Sequence, residues 1–247
     1  FLWVHYFNVH EPYRSTRFGE APRDRYDGEI LAADAEVGRL VSYLDAHLAR
    51  DAVIAGASDH GEEFEDHGGH YHGSSLFDEQ VRVPLVVKAP GAAPRRVSRP
   101  VSLLDVAPTA LALLGQKPAE GMAGQDLRPA IYGGDGVHVP RPVFATVMRE
   151  HMALDWPWKL VSDPPRGLYA LYDLAADPKE RVNRYDEKPE IAARLADEIR
   201  LWLDDFSRGD DPVSAALALG RMHDTRALPG LLAAAEDRRT PSASRVE

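Results

Sequence analysis

A short apolar run, Ala52–Ala57, passes directly into Ser58-Asp-His-Gly-Glu-Glu-Phe-Glu-Asp-His-Gly-Gly-His-Tyr-His72. Four of the ten histidines in the chain, His60, His67, His70 and His72, lie in this stretch. A buried strand followed at once by metal-capable and proton-handling side chains is how an open α/β sheet builds a site at the carboxyl ends of its strands. Asp59 and His60 set an oxygen ligand beside a nitrogen ligand where the chain leaves the pleat. Carboxylate suits hard cations such as Ca2+ or Mg2+, and imidazole tilts the choice towards Mn2+ or Zn2+. Two ligands do not complete a site, so the others must come from elsewhere. His10 and His72 suit cationic or proton-donating work against an anionic substrate. His67 and His70 are equally compatible with backing such a site and with a solvated surface.

The rest of the chain supplies an α/β frame for that stretch. Phe1–Val9 is dense in aromatic and β-branched residues, as a central parallel strand covered on both faces would be. His10-Glu-Pro-Tyr13 follows, and Pro12 holds His10 at the strand mouth. From Tyr26 to Leu48 apolar residues recur at three- and four-residue spacing, which predicts a long amphipathic helix containing Asp34. Val81–Lys88 reads as another buried strand, limited in its pairing by Pro84. Leu103–Leu114 reads as a helix closed by Gly115. This β-α-β-β-α order predicts an α/β fold with a mostly parallel sheet flanked by helices. Residues 115–141, rich in Gly and Pro, are expected to be irregular. Val143–Val147, Trp158–Ser162 and Leu168–Leu174 predict a small antiparallel sheet, and Pro189–Phe206 predicts an amphipathic helix that packs with it.

Composition narrows the class. A net charge of −10 with no basic block argues against a nucleic-acid partner. No run approaches the roughly 18 apolar residues of a membrane span. Without cysteine, neither disulfides nor a thiolate nucleophile is available within the chain. Because Phe1 already opens a strand-like run, the chain is expected to be the later part of a longer protein.

Taken in order, the motifs resemble the sulfatases of the alkaline phosphatase superfamily, from the middle of their catalytic domain to its end. The resemblance runs through His10-Glu-Pro-Tyr13, Tyr26-Asp-Gly-Glu-Ile30 with Asp34, Val37, Gly38 and Leu44, and Ser58-Asp-His-Gly-Glu62. It continues in Arg82-Val-Pro-Leu85, Pro90-Gly91, Leu104-Asp-Val-Ala-Pro-Thr109, Leu171-Tyr-Asp-Leu174, Asp177-Pro, Glu180 and Asn183. It implies a catalytic domain over residues 1–206. Beyond it the composition shifts, which predicts a linker over 207–212, an alanine- and leucine-rich helical hairpin over 213–237 and a disordered end over 238–247. The hairpin resembles the HEAT-like repeats of the phycobilisome-lyase type, which would offer a surface to a protein partner.

The resemblance implies hydrolysis of a sulfate ester with one divalent ion, Ca2+ foremost. Asp59 and His60 match the family's late pair of metal ligands. His10 matches the histidine near the leaving group, and His72 stands where many members have lysine. The family's nucleophile is a formylglycine made in a Cys/Ser-x-Pro/Ala-x-Arg motif near the N-terminus, expected upstream of residue 1. The chain alone is therefore expected to hold no nucleophile and to be inactive. A periplasmic, extracellular or membrane-anchored setting is also implied. His60, in place of asparagine, keeps a phosphodiester or phosphonate monoester hydrolase of the same superfamily in view. A non-catalytic protein that docks through the repeat tail is the alternative of another class.

Overall fold

The computed structural model describes residues 1–47, 52–119, 121–133 and 141–208. In chain order the elements are α1 (Pro22–His47), β1 (Ile54–Ala57), β2 (Glu63–Phe64), β3 (His70–Tyr71), α2 (Asp78–Val81) and β4 (Leu85–Lys88). There follow a 3-10 turn (Leu103–Asp105), α3 (Val106–Leu113), α4 (Arg128–Tyr132), β5 (Val143–Val147), β6 (Glu150–Asp155), β7 (Trp158–Asp163), β8 (Leu168–Asp173) and α5 (Pro189–Arg208). They divide into two compact units. The first is Phe1–Tyr71, Val83–Val97 and Leu103–His138; the second takes His72–Arg82, Ser98–Ser102 and the chain from Val139 onward.

In the first unit, α1 opens with Pro22, whose fixed φ and missing N–H suit a first helical position, and carries Asp24 in its first turn. Gly28 is the buried residue of this helix, and a Cβ there would meet Ser15 Oγ at 2.1 Å. The polar loop thus crosses the helix where only glycine leaves room. At the very next residue, Glu29 Oε1 accepts the backbone N–H groups of Arg14 (2.8 Å) and Ser15 (2.9 Å). The Asp-Gly-Glu sequence of the helix is therefore a fastening for the loop that carries Tyr13. Further on, buried Asp105 accepts the Gln125 N–H at 2.7 Å, and Thr109 Oγ1 accepts that of Leu127 at 2.8 Å, so α3 holds the segment leading into α4. Gly115, at φ +71, turns the chain off α3 as expected.

The second unit is a four-stranded antiparallel sheet in the order β5-β6-β7-β8 with α5 against it. Ala153, Leu160 and Leu171 from the sheet and Ala192, Leu195 and Ile199 from α5 form its core. Phe144 stacks on Trp202, with ring centroids 5.1 Å apart. Asn183 Oδ1 accepts the N–H groups of Leu171 and Tyr185, each at 2.9 Å, and its amide donates to the Tyr169 carbonyl at 3.1 Å. Asp177 Oδ2 accepts those of Arg181 (2.7 Å) and Val182 (2.8 Å). The Asp-Pro, Glu and Asn positions picked out in the sequence are thus the frame of the turn between β8 and α5.

Several expectations need correction. Every strand ladder among the described residues is antiparallel, including β1 with β4, in place of a mostly parallel sheet. Phe1–Phe7 joins no ladder among the described residues, and Trp3 is 78% exposed. Hydrophobicity marks a segment that favours cover, but it does not choose the neighbour. Ala55–Ala57 of β1 and Val86 of β4 are likewise exposed, where buried strands were expected. The second of these strands starts at Leu85, because Phe77–Arg82 folds as one helical turn and Pro84 cannot donate to a ladder. Strand β6, the short helices α2 and α4, and two further residues at the end of α5 were not anticipated. The rest of the expected linker, the hairpin and the terminal segment lie outside the described residues. No helix of the described residues is long and apolar enough to cross a membrane.

Candidate active site

Beyond β1 the chain turns through Ser58, whose hydroxyl donates to the His60 carbonyl at 2.6 Å. This short loop holds Asp59 and His60 together. The backbone N–H of His60 donates to Asp59 Oδ1 (3.2 Å), and Asp59 Oδ2 lies 3.9 Å from His60 Nε2. That last separation is beyond hydrogen-bond range. The Asp59 side chain is 76% exposed, so its charge carries little desolvation cost. His60 Nδ1 donates to the Gly61 carbonyl at 2.9 Å, so in the neutral ring Nε2 bears the lone pair.

His10 is held in the same way. Its Nδ1 donates to the Glu11 carbonyl at 2.8 Å, again leaving Nε2 as the basic nitrogen. Its ring stacks on Phe7, with centroids 4.8 Å apart and planes at 10°. Two histidines at two loop mouths thus have tautomers set by the next carbonyl along the chain.

The two loops are joined. Tyr13, at the end of the His10 turn, donates its hydroxyl to Glu62 Oε2, at the end of the Asp59–His60 loop. The Tyr13 ring meets Tyr26 of α1 edge-on at 5.4 Å and lies 6.0 Å from Phe64. Burial, with the Glu62 carboxylate beside it, pushes the Tyr13 phenol far above its ordinary range, so it stays a donor at any working pH.

His67 and His70 ride on a tight hairpin formed by β2 and β3. Buried Glu63 organises it, accepting the N–H groups of His67 (3.0 Å) and Gly69 (2.7 Å). A Cβ at Gly69 would meet Glu63 Oε2 at 2.8 Å, so this carboxylate requires glycine there. His70 Nε2 lies 3.5 Å from Glu65 Oε1 on the surface. Asp66 pairs with Arg23 of α1 at 2.6 Å. His72 is half-buried and starts the segment that packs with the second unit. Among the described residues no group of three or more His, Asp or Glu side chains is gathered for a metal ion.

Sequence reasoning passed over Tyr13, Glu62, Glu63 and Gln80 as site-building residues. The Gly68-Gly69 pair was the available signal for Glu63, since adjacent glycines after His67 mark a close approach. One stretch does meet the nucleophile spacing, Ser162-Asp-Pro-Pro-Arg166. Ser162, however, is buried at the end of β7, where its hydroxyl donates to the His151 carbonyl at 3.4 Å. It is a strand residue, paired with His151 of β6 and Tyr169 of β8.

With this geometry in place, the sulfatase family model matches residues 1–116. The chain is 32% identical over 190 residues to arylsulfatase K of Gallus gallus, covering 69% of this chain and 35% of that protein. It is 32% identical over 171 residues to the choline-sulfatase of Rhizobium meliloti, covering 65% of this chain and 32% of that protein. The crystal structure of a phosphonate monoester hydrolase of Agrobacterium radiobacter superposes with a TM-score of 0.64 at 27% identity, over 75% of this chain and 42% of that one. The family match is confined to residues 1–116, and the likeness in fold is to alkaline phosphatase-like α/β hydrolases, the chain's C-terminal sheet being antiparallel. The chain spans about a third of the length of these curated relatives, which by name are sulfuric ester hydrolases.

Proposed function

We propose that this chain is the later part of the catalytic domain of a metal-dependent sulfate-ester hydrolase. The observation that carries the reading is the joined pair of loops. Asp59 and His60 stand together after β1, and the Tyr13–Glu62 bond ties their loop to the His10 turn, all within the span that matches the sulfatase family.

The donor set fits two ligands of a divalent ion: an exposed carboxylate, and an imidazole whose Nε2 lone pair is fixed by the Gly61 carbonyl. An ion bound there, Ca2+ foremost, would offset charge on the ester oxygens and favour ionisation of the nucleophile. Asp59 and His60 would supply part of its coordination. His10, held with its Nδ1 proton on Glu11, would present Nε2 to the departing oxygen, with His72 as the second group for the same task. The family's formylglycine would come from sequence preceding residue 1, so the chain by itself would not turn over.

The test is Asp59→Ala in the full-length gene product, with metal content and hydrolysis of a chromogenic aryl sulfate as readouts. Loss of about one bound ion per chain and a fall in kcat/KM of about 10³-fold or more are expected, a few kcal/mol of transition-state stabilisation. Unchanged metal content and activity would sink the assignment.

The likeness to the phosphonate monoester hydrolase favours a second reading, hydrolysis of phosphonate or phosphate esters at the same residues. Rates on a sulfate and a phosphonate ester with the same leaving group decide between the two.

A further inference from the structure

His72 lies between two stretches of the first unit in sequence, yet the segment it opens, His72–Arg82, packs with the second unit. The packing runs through a buried charge cluster. Lys159 of β7 is 0% exposed, and its Nζ lies 2.9 Å from Asp78 Oδ1 and 2.7 Å from Glu180 Oε1. Glu180 closes the triangle: its Oε2 accepts the backbone N–H of Asp78 at 2.7 Å. It sits at φ +52, a left-handed conformation that a non-glycine residue keeps only where its surroundings hold it. Leu76 is buried, and Phe77 packs against Tyr172 of β8 with centroids 6.0 Å apart.

From the helical turn so fixed, one side chain reaches back towards His72. Buried Gln80 accepts the N–H groups of Ser74 (3.0 Å) and Ser75 (3.2 Å) on Oε1, and its amide donates to Ser74 Oγ at 2.9 Å. Ser74 stands two residues beyond His72, across Gly73 at φ +75. A lysine enclosed without a nearby counter-charge would be strongly disfavoured, and Asp78 and Glu180 together supply it here. Hydrophobic side chains of similar volume would serve stability as well. What the charged version adds is a fixed direction for α2, and through Gln80 a fixed loop at His72.

We infer that Gln80, Asp78, Lys159 and Glu180 are positioning residues for His72: the antiparallel sheet of the second unit determines where this histidine is held. The inference rests on the role given to His72 above. It differs from a packing role because displacement of a reacting group by about 1 Å can cost 10²-fold in rate without loss of fold.

The experiment is a double-mutant cycle in the full-length gene product with a chromogenic aryl sulfate. Gln80→Leu is expected to lower kcat about 30-fold with KM within about 2-fold, and to cost nothing further in a His72→Ala background. Gln80→Glu, which keeps the two accepted N–H bonds, is expected to recover activity to within about 3-fold of the parent. If Gln80→Leu does not fold, Asp78→Asn is read in the same cycle, with a loss that again vanishes without His72. A loss that persists undiminished in the His72→Ala background overturns the inference and leaves the role of His72 standing. A His72→Ala enzyme as active as the parent removes that role, and the inference falls with it.

Discussion

Helices α1 and α5 obey the same sequence rule and meet different fates. Both repeat apolar residues at three- and four-residue spacing, and both form, over 26 and 20 residues. Helix α5 buries Ala192, Leu195 and Ile199 against β6, β7 and β8. Along α1 only Gly28 is buried, and Ile30, Leu31, Val37 and Tyr43 stay exposed. Periodicity reports that a face favours cover; what lies against it depends on the rest of the fold. The contrast extends to the two units. The first carries the joined loops of the candidate site on a lightly packed frame, and the second carries the dense core. Function and stability should therefore separate on mutation.

The largest effect expected on stability comes from Leu195→Ala. It deletes a fully buried side chain from the core between α5 and the sheet, a change that costs about 2–5 kcal/mol. Chemical denaturation followed by tryptophan fluorescence measures it, since Trp158 and Trp202 flank this core. A cost below about 1 kcal/mol would mean that the second unit is no better packed than the first.

Tyr13→Phe comes next and probes the opposite unit. It removes the hydroxyl donated to Glu62 but keeps the ring against Tyr26 and Phe64. A hydrogen bond to a charged group contributes about 1.5–3 kcal/mol, so midpoint loss should sit at the lower end for this half-buried pair. The more telling readout is activity in the full-length gene product, which should fall by more than the stability change explains. If activity is unmoved, the two loops are not held by this bond.

Much of this was legible beforehand. The position of Asp59 and His60 at a strand end followed from an apolar run meeting polar, metal-capable residues. The two long helices and three strands of the second sheet followed from periodicity. Strand β6 was missed because Glu150-His-Met-Ala-Leu-Asp155 alternates poorly and lies between two tight turns. The site's supports were missed for a different reason. Glu63 and Gln80 have their partners across a turn, while Glu62 meets Tyr13 from 49 residues away and Lys159 meets Asp78 from 81, and no local pattern encodes such pairings.

A smaller effect tests the electrostatics of the second unit. Burial and the nearby Asp163 carboxylate push the Glu150 carboxyl above its ordinary range, against the pull of Arg166. An acid whose pKa is higher folded than unfolded binds its proton more tightly in the folded state. Its contribution favours folding at low pH and is lost as pH rises from the ordinary Glu value through the raised one. Glu150→Gln should therefore raise the thermal midpoint at neutral pH and flatten its decline over that window. A variant less stable than the parent at neutral pH would show that Glu150 is held by a partner stronger than Arg166.

The smallest effect should come from Ile30→Ser on α1. Ile30 is 42% exposed, so much of its side chain already meets water in the folded chain. Full burial of such a side chain contributes about 1.5–3 kcal/mol, and half of the lower figure, about 0.7 kcal/mol, is the cost expected here. Serine at a mid-helix position adds a few tenths through propensity. Amide exchange sharpens the same point without a substitution. Protection in α5 and β7 should approach the global value, while α1 exchanges through local opening at a lower free energy. Should Ile30→Ser in the full-length gene product cost as much as Leu195→Ala, the stripe on α1 has a partner there. The difference between the two helices would then be one of what covers them and not of how they are built.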